Sequence, residues 1–341
     1  MLNWHRAIFK HNTSNLMDIL IWSLVFIASL AVLIKAADFF TDSAEKIGLH
    51  FKISPFIIGV TIVAFGTSLP EIATSIAAVL KNDSSMVIAN VAGSNIANIL
   101  LVLGASAIVG KHLVVDKDII NIDLPLLLGS AILLFITTVD GVFSAGDGVI
   151  TLLALLTYVL YNIMSHRKID QKETSDIKQA AKELKAAKKN KPQLPLRHPI
   201  ILILSGIGIW IAADYTIEAV LKLSEIINIG TEVIAGSAIA LGTSLPELIV
   251  SVMAAKKGKT DIAIGNVTGS NIFNALAVMG IPSMIGPLAI STDMITFVIP
   301  FTVLTTILYM FVTMDKQVSQ WEGITLVLLY VAFIGKLLGF L

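Results

Sequence analysis

Apolar runs broken by short polar connections occupy nearly the whole chain. Segments of roughly 17–25 predominantly apolar residues suffice to cross a bilayer as helices. Their placement predicts ten spans, at about 18–37, 54–80, 86–110, 121–139, 147–165, 198–220, 230–254, 261–286, 292–313 and 321–340. The first run is too long for a signal-peptide core and lacks a clear cleavage site, so it reads as a span. Residues 1–17 ahead of it are polar and weakly patterned, which predicts a dispensable N-terminal extension. Polar positions inside the runs keep helical spacing. Thr67, Glu71 and Ser75 form one stripe on the second span, with Thr74 beside it, and Thr243, Glu247 and Ser251 repeat that stripe on the seventh. Asn90, Ser94 and Asn98 mark the third span in the same way, and Asn266, Ser270 and Asn274 mark the eighth.

These stripes belong to a duplication. Gly-Thr-Ser-Leu-Pro-Glu occurs at 66–71 and 242–247, and Gly-Ser-Asn-Ile-x-Asn at 93–98 and 269–274, so matched positions are offset by 176 residues. The offset also carries Ala36-Ala37-Asp38 onto Ala212-Ala213-Asp214, Asp42 onto Glu218 and Lys46 onto Lys222. The duplicated unit is a five-span half, 18–165 and again 198–341, with a polar connection at 166–197. Five is odd, so the second half enters the membrane from the opposite side. Inverted-topology repeats of this kind are common in secondary transporters, whose sites lie near the midplane between broken helices. The expected fold is therefore an all-α integral membrane protein of ten transmembrane helices in two inverted five-helix repeats with broken core helices. Within the connection, Ile177, Ala180, Ala181, Leu184 and Ala187 recur at helical spacing under a lysine-rich face. That pattern fits a solvated linker helix or a helix resting on anionic headgroups.

Composition agrees with a membrane protein: 55% of residues are hydrophobic and only 14% charged, where a soluble domain carries about 25% charged. Formal net charge is zero, and no nucleic-acid partner is expected. The absence of cysteine excludes disulfides, thiol catalysis and thiolate metal sites. His5, His11, His50, His112, His166 and His198 lie outside the apolar runs or at their ends, which argues against a buried imidazole metal centre. No prosthetic group is expected. Lysine and arginine gather on one side of the predicted topology: Lys46, Lys52, Lys111, Lys117, the 166–197 connection, Lys256, Lys257, Lys259 and Lys316. The other side holds Arg6, Lys10, Lys81, Lys222 and Lys336. The richer side is expected to be cytoplasmic, with both termini extracytoplasmic.

The motifs dictate local chemistry. Pro70 has no N–H and must break the second span near 66–68, freeing carbonyls around Ala64–Thr67. Irregular backbone at membrane depth is tolerated beside a cavity or a ligand. Glu71 and Glu247 have no lysine or arginine within these spans to pair with, and an intramembrane carboxylate is costly unless it binds something. The hydroxyls and amides alone could serve as glue between helices. Together with the glutamates they make an oxygen-only inventory, suited to hard cations such as Ca²⁺ and Na⁺ rather than to Zn²⁺ or Cu⁺. The same oxygens could hold monovalent ions or protons, which would support coupled antiport. Asp38, Asp214, Asp42 and Glu218, near span ends, are expected to be solvated or to line a vestibule. Gly93, Gly104, Gly269 and Gly280 are expected to allow close helix approach.

The paired Gly-Thr-Ser-Leu-Pro-Glu and Asn-Val-x-Gly-Ser-Asn-Ile-x-Asn strings resemble the two α-repeats of the cation/Ca²⁺ exchanger superfamily, in its Na⁺/Ca²⁺ exchanger branch. The resemblance implies a core of the second, third, seventh and eighth helices, across which the long first and sixth helices slide. It implies Glu71 and Glu247 as central Ca²⁺ ligands shared with Na⁺, with Thr67 and Thr243 adding oxygens. Ser68, Ser244, Ser94, Ser270 and the carbonyls of Ala64 and Ala240 would serve flanking Na⁺ sites, and Asn98 and Asn274 would line the middle. Two positions depart from the family: Ala89 replaces a usual glycine, and Asn274 stands where K⁺-dependent and some prokaryotic members carry aspartate. Asparagine there argues against K⁺ co-transport. The expected function is Na⁺/Ca²⁺ antiport in a prokaryotic inner membrane, for which a monomer suffices. H⁺-coupled Ca²⁺ antiport and a passive cation channel are the alternatives. Signatures of an intramembrane enzyme, such as His-Glu-x-x-His, are missing.

Overall fold

The structure, a computed structural model, describes residues 2–51, 53–115, 122–162, 196–227, 243–337, 339 and 340, with side chains from Met17 onward. Its helices are α1 (Leu2–His50), α2 (Pro55–Leu80), α3 (Ser85–Gly110), α4 (Leu124–Thr138), α5 (Ala145–Asn162), α6 (Arg197–Ile227), α7 (Leu245–Lys256), α8 (Thr260–Ser283), α9 (Met294–Val312) and α10 (Gln320–Leu337). Eight of them, counting α1 from Met17, are long and apolar enough to cross a membrane. Helix α4 has 15 residues and α7 has 12. The first part of the predicted seventh span, with Ala240, and nearly all of the 166–197 connection lie outside the described residues.

Two features differ from expectation. The polar residues from Leu2 onward continue α1 as helix; neither glycine nor proline occurs before Gly48 to end it. The protein is also not purely helical. Strand β1 (His112–Val114) pairs antiparallel with β4 (Gln317–Ser319), and β2 (Val142–Phe143) pairs with β3 (Leu288–Ala289). Such two- and three-residue strands carry too little alternation to register in the sequence. They obey the duplication all the same. The His112↔Ser319 pair, advanced by 176 in one strand and set back by 176 in the other, becomes Leu288↔Phe143, which is the pairing found.

Burial ranks the helices. The most apolar 18-residue window of α8 is 100% buried, against 6% for α1. Helix α8 is thus the axis of the protein, while α1 lies outside and packs along α6. Helix α8 holds its central place because glycines let it touch α2 at backbone distance. A methyl group added to Gly59 would lie 2.7 Å from the Ile262 carbonyl, and one added to Gly265 would lie 2.5 Å from the Phe56 carbonyl. Gly269 meets Val60 and Ala64 in the same crossing. Gly104 likewise approaches Gly323 of α10, and Gly280 approaches Thr151 and Leu152 of α5. Gly93 is different: no described atom lies within 4 Å of where its Cβ would be.

Candidate cation site

Proline breaks α2 where the sequence requires. Regular helix ends at Thr67, Ser68 takes φ −87° and ψ 2°, and helix resumes at Leu69 with Pro70 in its first turn. Ser244 repeats this with φ −88° and ψ 4° ahead of α7. Each break places its glutamate in the first turn of the helix that follows, where the helix dipole favours a negative charge. In α3 and α8 the motif asparagines open π-helical stretches, Asn98–Val102 and Asn274–Val278. Wide turns of this kind recur at functional sites.

These segments bring the predicted residues together at full burial. Glu71, Glu247, Asn98, Asn274 and Ser270 are 0% exposed, and Thr67, Ser68, Ser94, Ser244 and Ala64 are buried as well, with Thr243 half-buried. Ser68 Oγ donates to Glu247 Oε1 at 3.3 Å, and Thr67 Oγ1 lies 3.4 Å from Ser270 Oγ, so both halves contribute to one site. The most telling feature is what stays unpaired. Both carboxylate oxygens of Glu71, Oε2 of Glu247, Ser244 Oγ and the whole carboxamides of Asn98 and Asn274 have no hydrogen-bond partner among the described residues. Buried polar groups are paired in more than about 90% of cases, so this concentration at one point is far outside the ordinary pattern. No described basic side chain forms an ion pair with either glutamate. Among the described residues no three His, Cys, Asp or Glu side chains gather to hold a metal. Two carboxylates with neutral oxygens suit a cation that binds and leaves better than a resident one.

One expected ligand is engaged elsewhere. The Ala64 carbonyl accepts from Ser68 N–H at 2.9 Å and from Thr67 Oγ1 at 3.2 Å. Pro70 withholds its missing N–H from the Gly66 carbonyl, two residues further on, so the loss falls there. Sequence reasoning also passed over Asn95 and Asn271. Asn95 Nδ2 donates to the Asn271 carbonyl at 3.2 Å across the two halves, and both Oδ1 atoms are buried without a partner. Their place inside the Gly-Ser-Asn string was the available signal.

The halves are alike in some contacts and unlike in others. Asn90 Nδ2 donates to Ser75 Oγ at 3.3 Å, and Asn266 Nδ2 donates to Ser251 Oγ at 2.9 Å, which is the same bond at the 176-residue offset. Ser94 Oγ and Thr243 Oγ1 lie 3.0 Å apart, matching Ser270 and Thr67. By contrast, the Ser68–Glu247 bond has no counterpart between Ser244 and Glu71, since all three oxygens there are unpartnered. A cavity of about 370 Å³ lies on that unlike side, lined by Ser75, Asn90, Gly93, Thr243 and Asp214 and reaching Met86 and Leu337 at the helix ends. On the opposite face, Asp38 and Asp42 are half-exposed, as expected near a helix end, and are also ion-paired. Lys257 Nζ lies 3.1 Å from Asp38 Oδ1 and 3.0 Å from Asp42 Oδ1, and Lys259 Nζ lies 2.6 Å from Asp42 Oδ1 and 2.7 Å from Glu45 Oε2. Burial alone would lower the Lys259 pKa, but its bonds to Asp42 and Glu45 outweigh that and hold it above the usual lysine value.

The family model "Sodium/calcium exchanger protein" matches residues 21–164 and 197–338, one block per half. The sodium/calcium exchanger MaX1 of Methanosarcina acetivorans is 32% identical over 339 residues, covering 91% of this chain and 97% of its own length. The inner membrane protein YrbG of Escherichia coli is 32% identical over 273 residues, covering 79% of this chain and 81% of its own. Among solved structures, the sodium-calcium exchanger NCX_Mj, soaked with Na⁺ and Sr²⁺, superposes with a TM-score of 0.77 at 29% identity, over 93% of this chain and 99% of that one. Matched in both halves and along nearly its whole length, the chain belongs to the sodium/calcium exchanger family.

Proposed function

We propose that this membrane protein is an antiporter exchanging Na⁺ for Ca²⁺ by alternating access to a midplane site. The observation that carries the reading is the pair of fully buried glutamates, one from each half, whose unpaired oxygens converge with two unpaired asparagine carboxamides. Glu71 and Glu247 hold Ca²⁺ directly and neutralise its charge. Thr67, Thr243, Asn98 and Asn274 supply neutral oxygens. Ser68, Ser244, Ser94 and Ser270 complete flanking Na⁺ positions, together with the carbonyl of Ala240 and, by releasing a present hydrogen bond, that of Ala64. Because both ions need the same carboxylates, loading one requires unloading the other. Relatives named as sodium/calcium exchangers support this choice of ions.

The architecture that fits is two inverted five-helix halves, 18–165 and 198–341. Support comes from strand pairs, π-helical stretches and asparagine–serine bonds that recur at the 176-residue offset. The lysine-bearing face around Lys257 and Lys259 is cytoplasmic by the positive-inside rule, so the 370 Å³ cavity opens outward. Each monomer carries a whole site and transports alone.

In proteoliposomes, ⁴⁵Ca²⁺ uptake is expected to follow an imposed Na⁺ gradient; uptake that follows only a pH gradient, or that persists with no exchangeable ion opposite, overturns the Na⁺/Ca²⁺ reading. Glu71→Gln and Glu247→Gln are expected to insert normally and to lose exchange by about a hundredfold or more, since truncating one charge that faces a buried ion costs roughly 3 kcal/mol. Retained exchange in either variant would show that the site lies elsewhere. Asn274→Asp adds a third charge and is expected to lower the half-saturating Ca²⁺ concentration about tenfold or to alter ion selectivity; unchanged ion dependence would make this position irrelevant to selection.

A further inference from the structure

The unlike contacts of the two halves single out a residue outside the ligand set. Asn266 is 0% exposed and uses both ends of its carboxamide. Its Nδ2 donates to Ser251 Oγ at 2.9 Å and to the Glu247 carbonyl at 3.5 Å, while its Oδ1 accepts from Thr67 Oγ1 at 3.2 Å. Asn266 therefore ties a ligand of the first half, Thr67, to the helix turn that carries the carboxylate of the second. Its counterpart Asn90 keeps only the serine bond. Thr243 bonds Ser94 and not Asn90, and Asn90 lines the cavity. We propose that Asn266 is a positioning residue which seals the site on the lysine-bearing face, and that Asn90 does the same on the cavity face when the exchanger turns over. The proposal rests on the exchange reading above.

Asn266→Ala removes the side-chain link from Thr67 to Ser251 and the Glu247 turn and loosens only one seal, so the population shifts toward opening on the lysine-bearing face. The half-saturating Ca²⁺ concentration is expected to rise about tenfold on the cavity face and to fall on the other. Asn90→Ala is expected to move the two values in the opposite sense. Equal changes on both faces, or a lower maximal rate alone, overturn the proposal and leave Asn266 a purely structural residue. Asn266→Ser, too short to reach Thr67 and Ser251 together, carries the same expectation should the alanine variant fail to fold. Absence of Ca²⁺ flux in the unaltered protein would instead refute the exchange reading itself.

A second device stands on separate observations. Helix α1 is fastened to the α7–α8 turn by Lys257 and Lys259, whose ammonium groups share Asp38, Asp42 and Glu45. The 176-residue offset maps Lys257 onto Lys81 and the two aspartates onto Asp214 and Glu218, but it maps Lys259 onto Asp83 and Glu45 onto Leu221. There the contact is absent: Lys81 forms no ion pair among the described residues, and Asp214 lines the cavity. We infer that these charges are a latch which holds α1 while the lysine-bearing face is shut and parts when that face opens. No ion passes through it; it restrains the movement of α1.

The chain lacks cysteine, so Glu45→Cys with Lys259→Cys gives a clean pair for a short reducible bifunctional thiol reagent. Cross-linking is expected to stop Ca²⁺ exchange, and reductant to restore it. Full exchange by verified cross-linked protein overturns the latch, as does failure of the pair to cross-link, an outcome read by mass without any transport assay. In uncross-linked protein, Lys257→Gln with Lys259→Gln is expected to raise accessibility of the lysine-bearing face several-fold; unchanged accessibility likewise overturns it.

Discussion

Two fully buried carboxylates lie in one core, and among the described residues no basic side chain forms an ion pair with either. Taking each from water costs on the order of several kcal/mol even after the surroundings relax, and their mutual repulsion adds to that. Proteins usually meet such a cost with a lysine, an arginine or a set of hydrogen bonds. Here Glu71 has no side-chain hydrogen bond among the described residues, and Glu247 accepts one from Ser68 with the hydroxyls of Thr67 and Ser270 also beside it. On the proposed reading, this charge is left for a passing cation, and the other unusual features of the core fit that role. The helix breaks at Ser68 and Ser244 put both acids in helix first turns, π-helical stretches begin at the buried, unpartnered Asn98 and Asn274, and the glycine crossing of α2 with α8 brings the two halves to backbone distance.

A site made of two opposed halves has a second consequence. Perfect symmetry would leave it equally open, or equally shut, on both faces, and neither arrangement transports. The bonds between neighbouring helices of one half, Asn90 to Ser75 and Asn266 to Ser251, survive in both copies. The bonds Ser68 to Glu247 and Thr67 to Asn266, which run between halves, have no counterpart among the described residues, whereas the Ser94–Thr243 and Ser270–Thr67 approaches between halves recur. On the proposed reading, helix pairing inside each repeat is kept while the joint between repeats takes one of two states. The periphery is unlike as well: the charges on α1 engage Lys257 and Lys259 of the α7–α8 turn, positions whose counterparts are Lys81 and Asp83.

The sequence made the site legible because its signals are local and doubled. A proline two residues after a serine dictates a break wherever it lies in an apolar run, and two glutamates without basic neighbours declare themselves by composition. Of the glycines expected to allow close approach, Gly104, Gly269 and Gly280 do so and Gly93 does not, while Gly59 and Gly265 at the α2–α8 crossing carried no signal of their own in the sequence. What stayed hidden depends on partners far along the chain. The Ala64 carbonyl seemed free because Pro70 lies nearby, yet Ser68 and Thr67 occupy it. The strand pairs join residues more than 140 positions apart over two or three residues each, too short for any periodicity to show. Asp42 looked like a solvated helix-end acid, and only the fold brings Lys257 and Lys259 to it.

Asparagine at both centre positions follows the same economy of charge. On the proposed reading, with Asn98 and Asn274 neutral, the site offers two carboxylates, whose ionised forms balance one Ca²⁺ or two Na⁺ without excess. A third carboxylate would deepen the hold on either load and would also demand a further cation whenever the site crossed the membrane. Selectivity between ions then has to come from geometry: the count and spacing of neutral oxygens that replace water around each ion. On the same reading, those oxygens come from motif positions held by π-helical turns and helix breaks, so backbone shape sets the choice of ion as much as the glutamates do.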